Sequence, residues 1–267
     1  FEAMMGGATK EETYEAVKAL KGTEGMNEVF LNYFLFSIAD YCKADLSEQL
    51  EYIEAADEAA SKQKADYSWL YNVDIADILC QAGEYDKALK YVDVLVENDK
   101  NNYRAHYLKM RIALAKGEND KASEILAEFK VNNEGYDSAV SLEAAYLRCT
   151  GDYKNSKLIC QEGLAEHDYS SELQRQLALL ALIEGDYSAA YDAVFTADSN
   201  ASYLANYMMD NSAYTPQLDN TIYLCAMLCK ENDLYEGENA AYIDQIINYF
   251  TGFEPTAQVS AVLNGEK

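Results

Sequence analysis

The sequence predicts an all-α protein, a solenoid of antiparallel helix pairs. Three observations carry that prediction. Glycines stand at 83, 117, 151 and 185, each 34 residues after the last, in the related stretches Gly83-Glu84-Tyr85-Asp86-Lys87-Ala88, Gly117-Glu118-Asn119-Asp120-Lys121-Ala122, Gly151-Asp152-Tyr153-Lys154-Asn155-Ser156 and Gly185-Asp186-Tyr187-Ser188-Ala189-Ala190. Apolar and small residues follow each glycine at helical spacing. Only two prolines, Pro216 and Pro255, interrupt the 267 residues, so helices can run through nearly the whole chain.

A helix, a tight turn, a second helix and a second turn fit a 34-residue period. The glycine supplies the left-handed backbone that ends the first helix. The acidic residue after it (Glu84, Glu118, Asp152, Asp186) suits the start of the second helix, where backbone N–H groups are unpaired and the dipole is positive.

Taken in order, residues 1–26 read as a linker followed by a helix from Lys10 to Leu20, which Gly22 and Gly25 end. Residues 27–68 read as a degenerate first helix pair: a strongly apolar helix from Asn27 to Lys43, then a partner opened by Asp45 with Leu46, Leu50 and Ile53 along one stripe. Residues 69–204 hold the four regular repeats. Residues 205–267 hold a divergent helix pair and cap, because a fifth glycine due at 219 is replaced by Asp219. There the last regular helix extends through Tyr203 and Met208 before a turn to Pro216. Leu218–Lys230 and Glu236–Phe250 then form a pair, closed by Gly252 and Pro255, with a short helix over Thr256–Leu263.

The regular section resembles the tetratricopeptide repeat family. With Gly83 as position 15, the repeats are 69–102, 103–136, 137–170 and 171–204. Position 8, where the paired helices cross, holds Ala76, Met110, Ala144 and Ala178, and the facing position 20 holds Ala88, Ala122, Ser156 and Ala190. Position 17 is Tyr85, Asn119, Tyr153 and Tyr187; position 24 is Val92, Leu126, Cys160 and Val194; position 27 is Leu95, Phe129, Gly163 and Ala197. The family's aromatic residue at position 4 is replaced by Asn72, His106, Val140 and Gln174, and its proline at position 32 by Lys100, Glu134 and Asp168. The resemblance covers about half of the chain. It implies a right-handed superhelix whose leading helices line a concave groove through positions 2, 5, 9 and 12.

Those positions are Leu70, Val73, Asp77 and Cys80; Arg104, Tyr107, Arg111 and Leu114; Ser138, Ser141, Ala145 and Arg148; Glu172, Arg175, Leu179 and Leu182. All four arginines of the chain fall on this set of sixteen, and none of its seventeen lysines does. Arginine offers a planar fork matched to carboxylate or phosphate, which lysine does not. Arg104, Tyr107, Arg111, Arg148, Arg175 and Leu179 are therefore the expected partner-binding residues, for an acidic or C-terminal peptide segment. The competing reading is that the arginines pair internally with Asp77, Glu172 and neighbouring acids. The family's lysine–asparagine clamp for chaperone tails maps to Val73, Asp77, Leu108, Ser138 and Leu142, which cannot form it.

The formal net charge of −25 repels DNA, RNA and anionic lipid, so no nucleic-acid partner is expected. No apolar run reaches the length of a bilayer crossing, so direct membrane insertion is not expected either. The six cysteines (42, 80, 149, 160, 225, 229) match no small disulfide framework and fit a reducing, cytoplasmic setting. Phe1 is not an initiator methionine, so a longer chain is expected, with an extracytoplasmic domain of an anchored protein as the alternative. His106 occupies the aromatic slot of its repeat and reads as packing; His167 lies near a helix end, where a cation is favoured. Cys225 and Cys229 share a helix face but have no second metal-ligating pair. No phosphate-loop, nucleophile-elbow or zinc-protease motif occurs. These readings predict a non-catalytic, cofactor-free scaffold for a protein or peptide. The alternative is a sensor or anchor domain of a larger membrane-associated or regulatory protein, its arginines serving only structural pairing.

Overall fold

The computed structural model describes residues 9–41, 44–64, 67, 73–209 and 216–250. Leu70 and Asn72, Cys42, Tyr214, the turn before Pro216, Gly252, Pro255 and the short helix expected over Thr256–Leu263 lie outside them. The described residues are helical with turns between, and hold no strand. Two compact units divide the chain, residues 1–98 and 99–267. The first ends at the last helix of the first regular repeat.

In the first unit, α1 (Lys10–Lys18) starts on a capping box in which Thr9 and Glu12 exchange side-chain-to-backbone bonds. The apolar α2 (Glu28–Tyr41) packs on α3 (Leu46–Gln63), whose N-cap is Asp45, its side chain accepting from the Glu48 N–H. Leu35, Ala39, Tyr52 and Ile53 are buried there. A polar knot ties α1 to α3: Tyr14 donates to Tyr52 at 3.1 Å, Tyr52 to Glu48 at 2.9 Å, and Lys18 to the same carboxylate at 2.9 Å. Next, α4 (Val73–Gln81) pairs with α5 (Tyr85–Asn98). Two side chains of α5 reach back to α3, Lys87 to Glu54 and Tyr91 to Asp57.

The second unit is four helix pairs: α6 (Tyr103–Ala115) with α7 (Asn119–Asn132), α8 (Asp137–Cys149) with α9 (Tyr153–Glu166), α10 (Ser171–Glu184) with α11 (Tyr187–Met208), and α12 (Pro216–Glu231) with α13 (Gly237–Phe250). Leading helices also pack on one another in sequence, α6 on α8, α8 on α10 and α10 on α12. This is the stacking of an α-solenoid, in which each pair covers its neighbour's apolar face.

The 34-residue glycine has a structural cause. Gly151 sits at φ +88°, and the N–H after it, that of Asp152, closes back on the Leu147 carbonyl at 2.8 Å. The turns at Gly83, Gly117 and Gly185 repeat this bond, with φ of +76°, +74° and +78°. Asp152 and Asp186 then cap the following helices through side-chain bonds to Asn155 N–H and Ala189 N–H, whereas Glu118 makes no such bond. Positions 8 and 20 meet as expected: Ser156 donates its hydroxyl to the Ala144 carbonyl at 2.7 Å.

The register slips where the sequence loses its glycine. Helix α11 runs on for 22 residues, past the end of the fourth repeat. Its buried side, Ala190, Val194, Ala197 and Ala201, packs with Leu218, Ile222, Cys225 and Cys229 of α12. Those two cysteines are core residues, and burial pushes the Cys229 thiol up to about 11. Cys160 is also buried, Cys80 half-buried and Cys149 exposed. His106 fills its aromatic slot, 4.7 Å from the Phe129 ring.

Candidate functional site

The leading-helix face of the second unit is built from α6, α8 and α10. On α6, Tyr103 and Tyr107 are one helical turn apart, and their rings stack at 6.1 Å. Arg111, one further turn on, lies over the Tyr107 ring at 5.6 Å, a cation–π contact. On α10, Glu172, Arg175 and Gln176 occupy one turn and face one another. Arg175 grips Glu172 with both prongs of its fork, Nε to Oε2 at 2.8 Å and Nη2 to Oε1 at 2.7 Å. Gln176 Nε2 donates to the same carboxylate at 2.7 Å.

Helix α8 lies between the two and contributes little bulk. Ser141 and Ala145, its central positions on this face, are fully buried. Their small size lets α6 and α10 meet above α8, where the Tyr103 hydroxyl donates to Glu172 Oε1 at 2.8 Å. The large residue of α8 on this face is Arg148 at its C-terminal end, and it closes the circuit: Nε donates to Gln176 Oε1 at 2.9 Å, and Nη2 to the Tyr107 hydroxyl at 3.2 Å. Tyr103, Tyr107, Arg111, Arg148, Glu172, Arg175 and Gln176 thus form one network over three helices.

Its electrostatics follow from burial and pairing. Burial alone would raise the Glu172 carboxyl, but the Arg175 guanidinium and the Gln176 and Tyr103 donors overcome it and hold the group below its ordinary range. Burial opposes the Arg175 charge as well, and the Glu172 carboxylate more than restores it. Burial, then the Glu172 charge, pushes the Tyr103 hydroxyl far up, so it stays a donor. Arg175 is 6% exposed and is spent on this pair. Arg148 differs, since its two partners are neutral. The lysines do other work: Lys121 pairs with Glu118, Lys130 with Glu143 and Lys157 with Glu184, all at well-solvated positions.

Of the expected site residues, the structure brings Tyr107, Arg111, Arg148 and Arg175 into the network. Arg104 and Leu179 are half-buried on α6 and α10, at the positions expected. Tyr103 and Gln176 belong to the network but lie one place off the groove positions, so the sequence reading passed them by. Their signal was weak. It is the Glu172-x-x-Arg175-Gln176 spacing, which puts two donors on one carboxylate.

Neither a family model nor a curated protein matches the sequence. The fold is similar to that of a tetratricopeptide repeat protein from Parabacteroides merdae, with a TM-score of 0.52 and 18% identity, covering 92% of this chain and 94% of that one. The likeness concerns the fold: an all-α, tetratricopeptide-like arrangement of helix pairs.

Proposed function

We propose that the second unit is a non-catalytic scaffold that holds a protein or peptide along its leading-helix face, and that the bound segment brings acidic side chains or a C-terminal carboxylate. One observation carries the reading. Arg148 is a positive charge held in place by two neutral groups, in a chain of net charge −25. A buried or half-buried charge is costly unless it is paired, so an anionic segment gains more there than from a lysine in water. A charge-assisted hydrogen bond is worth about 1.5–3 kcal/mol. The Tyr107–Arg111 pair beside it adds aromatic area at low entropic cost. A nucleic acid fits poorly because the rest of the molecule repels a polyanion.

Arg175 favours the second reading, in which the arginines only tie helices together, because it is fully paired with Glu172. The two readings divide the arginines between them. No described helix is long and apolar enough to cross a membrane, and buried free thiols fit a reducing compartment.

An array of synthetic peptides tests the proposal: acidic and neutral sequences, each with a free and an amidated C-terminus, probed with the wild type and with Arg111→Glu/Arg148→Glu. The wild type retains acidic or free-acid peptides and the variant releases them. Equal retention by both, with the variant folded, contradicts the assignment.

A further inference from the structure

We propose that Glu172 and Gln176 are positioning residues, which hold Arg148 so that its outer edge takes a single carboxylate from the bound segment. The inference rests on the leading-helix face being the binding surface, and it names the group on that face that meets the ligand's charge.

The Gln176 amide has only one orientation available to it. Gln176 Nε2 is committed to the Glu172 carboxylate at 2.7 Å, which fixes the orientation of the side chain. Its oxygen is therefore the atom left for Arg148, and it accepts from Nε at 2.9 Å. A reversed amide would set an NH2 against a guanidinium and a carbonyl against a carboxylate. Glu172 thus acts on Arg148 through Gln176.

The second anchor is the Tyr107 hydroxyl, 3.2 Å from Nη2. Nε–H and one Nη2 hydrogen make up the inner fork of a guanidinium, and both are used. Nη1 and the second Nη2 hydrogen make up the other fork. Among the described residues Nη1 has no hydrogen-bond acceptor, yet it is not among the orphaned polar atoms sealed from water. That fork opens to solvent with its geometry already set, and a planar fork of two N–H groups matches one carboxylate.

Glu172 and Arg175 cancel, while Tyr103, Tyr107 and Gln176 are neutral. The hydrogen-bond partners of Arg148 therefore include no carboxylate, and one open fork seats one carboxylate. Because the guanidinium is already held, little side-chain freedom is lost on binding.

The chain has only four arginines, so their Nε–H resonances can be assigned with single Arg→Lys variants of the nitrogen-15-labelled protein. The probe is N-acetyl-trialanine, as the free acid and as the C-terminal amide, at constant ionic strength. The acid is expected to shift the Arg148 resonance and the amide to leave it in place. Gln176→Met and Tyr107→Phe, each removing one anchor, are expected to weaken acid binding by about tenfold without shifting the amide response. Should Gln176→Met lose its fold, Gln176→Asn, which keeps an amide but draws it back by one methylene, takes its place. Unchanged acid affinity in the folded variants overturns the positioning role. Shifts at Arg104 or Arg111 but not at Arg148 overturn it too, while sparing the broader face. Silence at all four arginines overturns both.

Discussion

Replacing Glu172 with alanine perturbs the network at its centre. The carboxylate receives four hydrogen bonds, two from Arg175 and one each from Gln176 and Tyr103. Its loss strands the Arg175 guanidinium at 6% exposure, without its ion-pair partner among the described residues. Breaking one side of a buried pair costs about 3–5 kcal/mol. For a unit of this size each kcal/mol lowers Tm by about 2–4 °C, so a fall of about 6–20 °C is expected. Circular dichroism melts at pH 7 give the total. Amide exchange locates it, because a helical array can open in parts, and protection should fall first in α8 and α10. Glu172→Leu/Arg175→Leu removes both charges and should recover most of the loss. The pH sign is also fixed. A carboxyl held below its usual value near 4.5 contributes fully above that value, and its contribution fades as pH falls through the lower folded one. An alanine variant that stays folded and melts within about 2 °C of the wild type refutes the reasoning, since a stranded buried charge cannot cost so little.

Other predictions concern packing and charge elsewhere. A Cβ on Gly163 of α9 would sit 2.7 Å from Val140 Cγ1 and 3.0 Å from Leu173 Cδ1. Overpacking of about 1–3 kcal/mol then outweighs a helix-propensity gain of about 1 kcal/mol, so Gly163→Ala should lower Tm, and adding Val140→Ala should restore it; a rise for Gly163→Ala alone would show that this contact is loose. Asp219 of α12 is raised by burial and then by Asp198, so folding disfavours its charged form. Asp219→Asn should raise Tm at pH 7, by an amount that shrinks as acid protonates the wild-type group, and a gain independent of pH would exclude this cause.

The helix pairs were legible because their signal is local. Gly151 and its counterparts mark a backbone turn that needs positive φ, and a period of such turns can be read without any tertiary contact. The crossing of positions 8 and 20, seen in the Ser156–Ala144 bond, was legible for the same reason. The arginines were legible as a set of positions on one helix face, but their pairing was not. The divergence of Arg175 from Arg148 depends on Tyr103 reaching Glu172 across 69 residues of sequence, over a helix kept low by Ser141 and Ala145. No spacing rule within one helix contains that contact. The exposure of Cys149, beside Arg148 at the end of α8, was hidden from helical periodicity because it turns on how neighbouring pairs end.

Under the proposed function, location on the leading-helix face, not bulk charge, decides what this molecule holds. Calorimetric titration of the tightest acidic peptide against Arg148→Glu and Lys157→Glu tests it directly. Each substitution alters net charge by the same amount, but Lys157 lies on α9, paired with Glu184. Arg148→Glu is expected to lose at least about tenfold in affinity while Lys157→Glu binds as the wild type does. Equal losses in the two variants would contradict it.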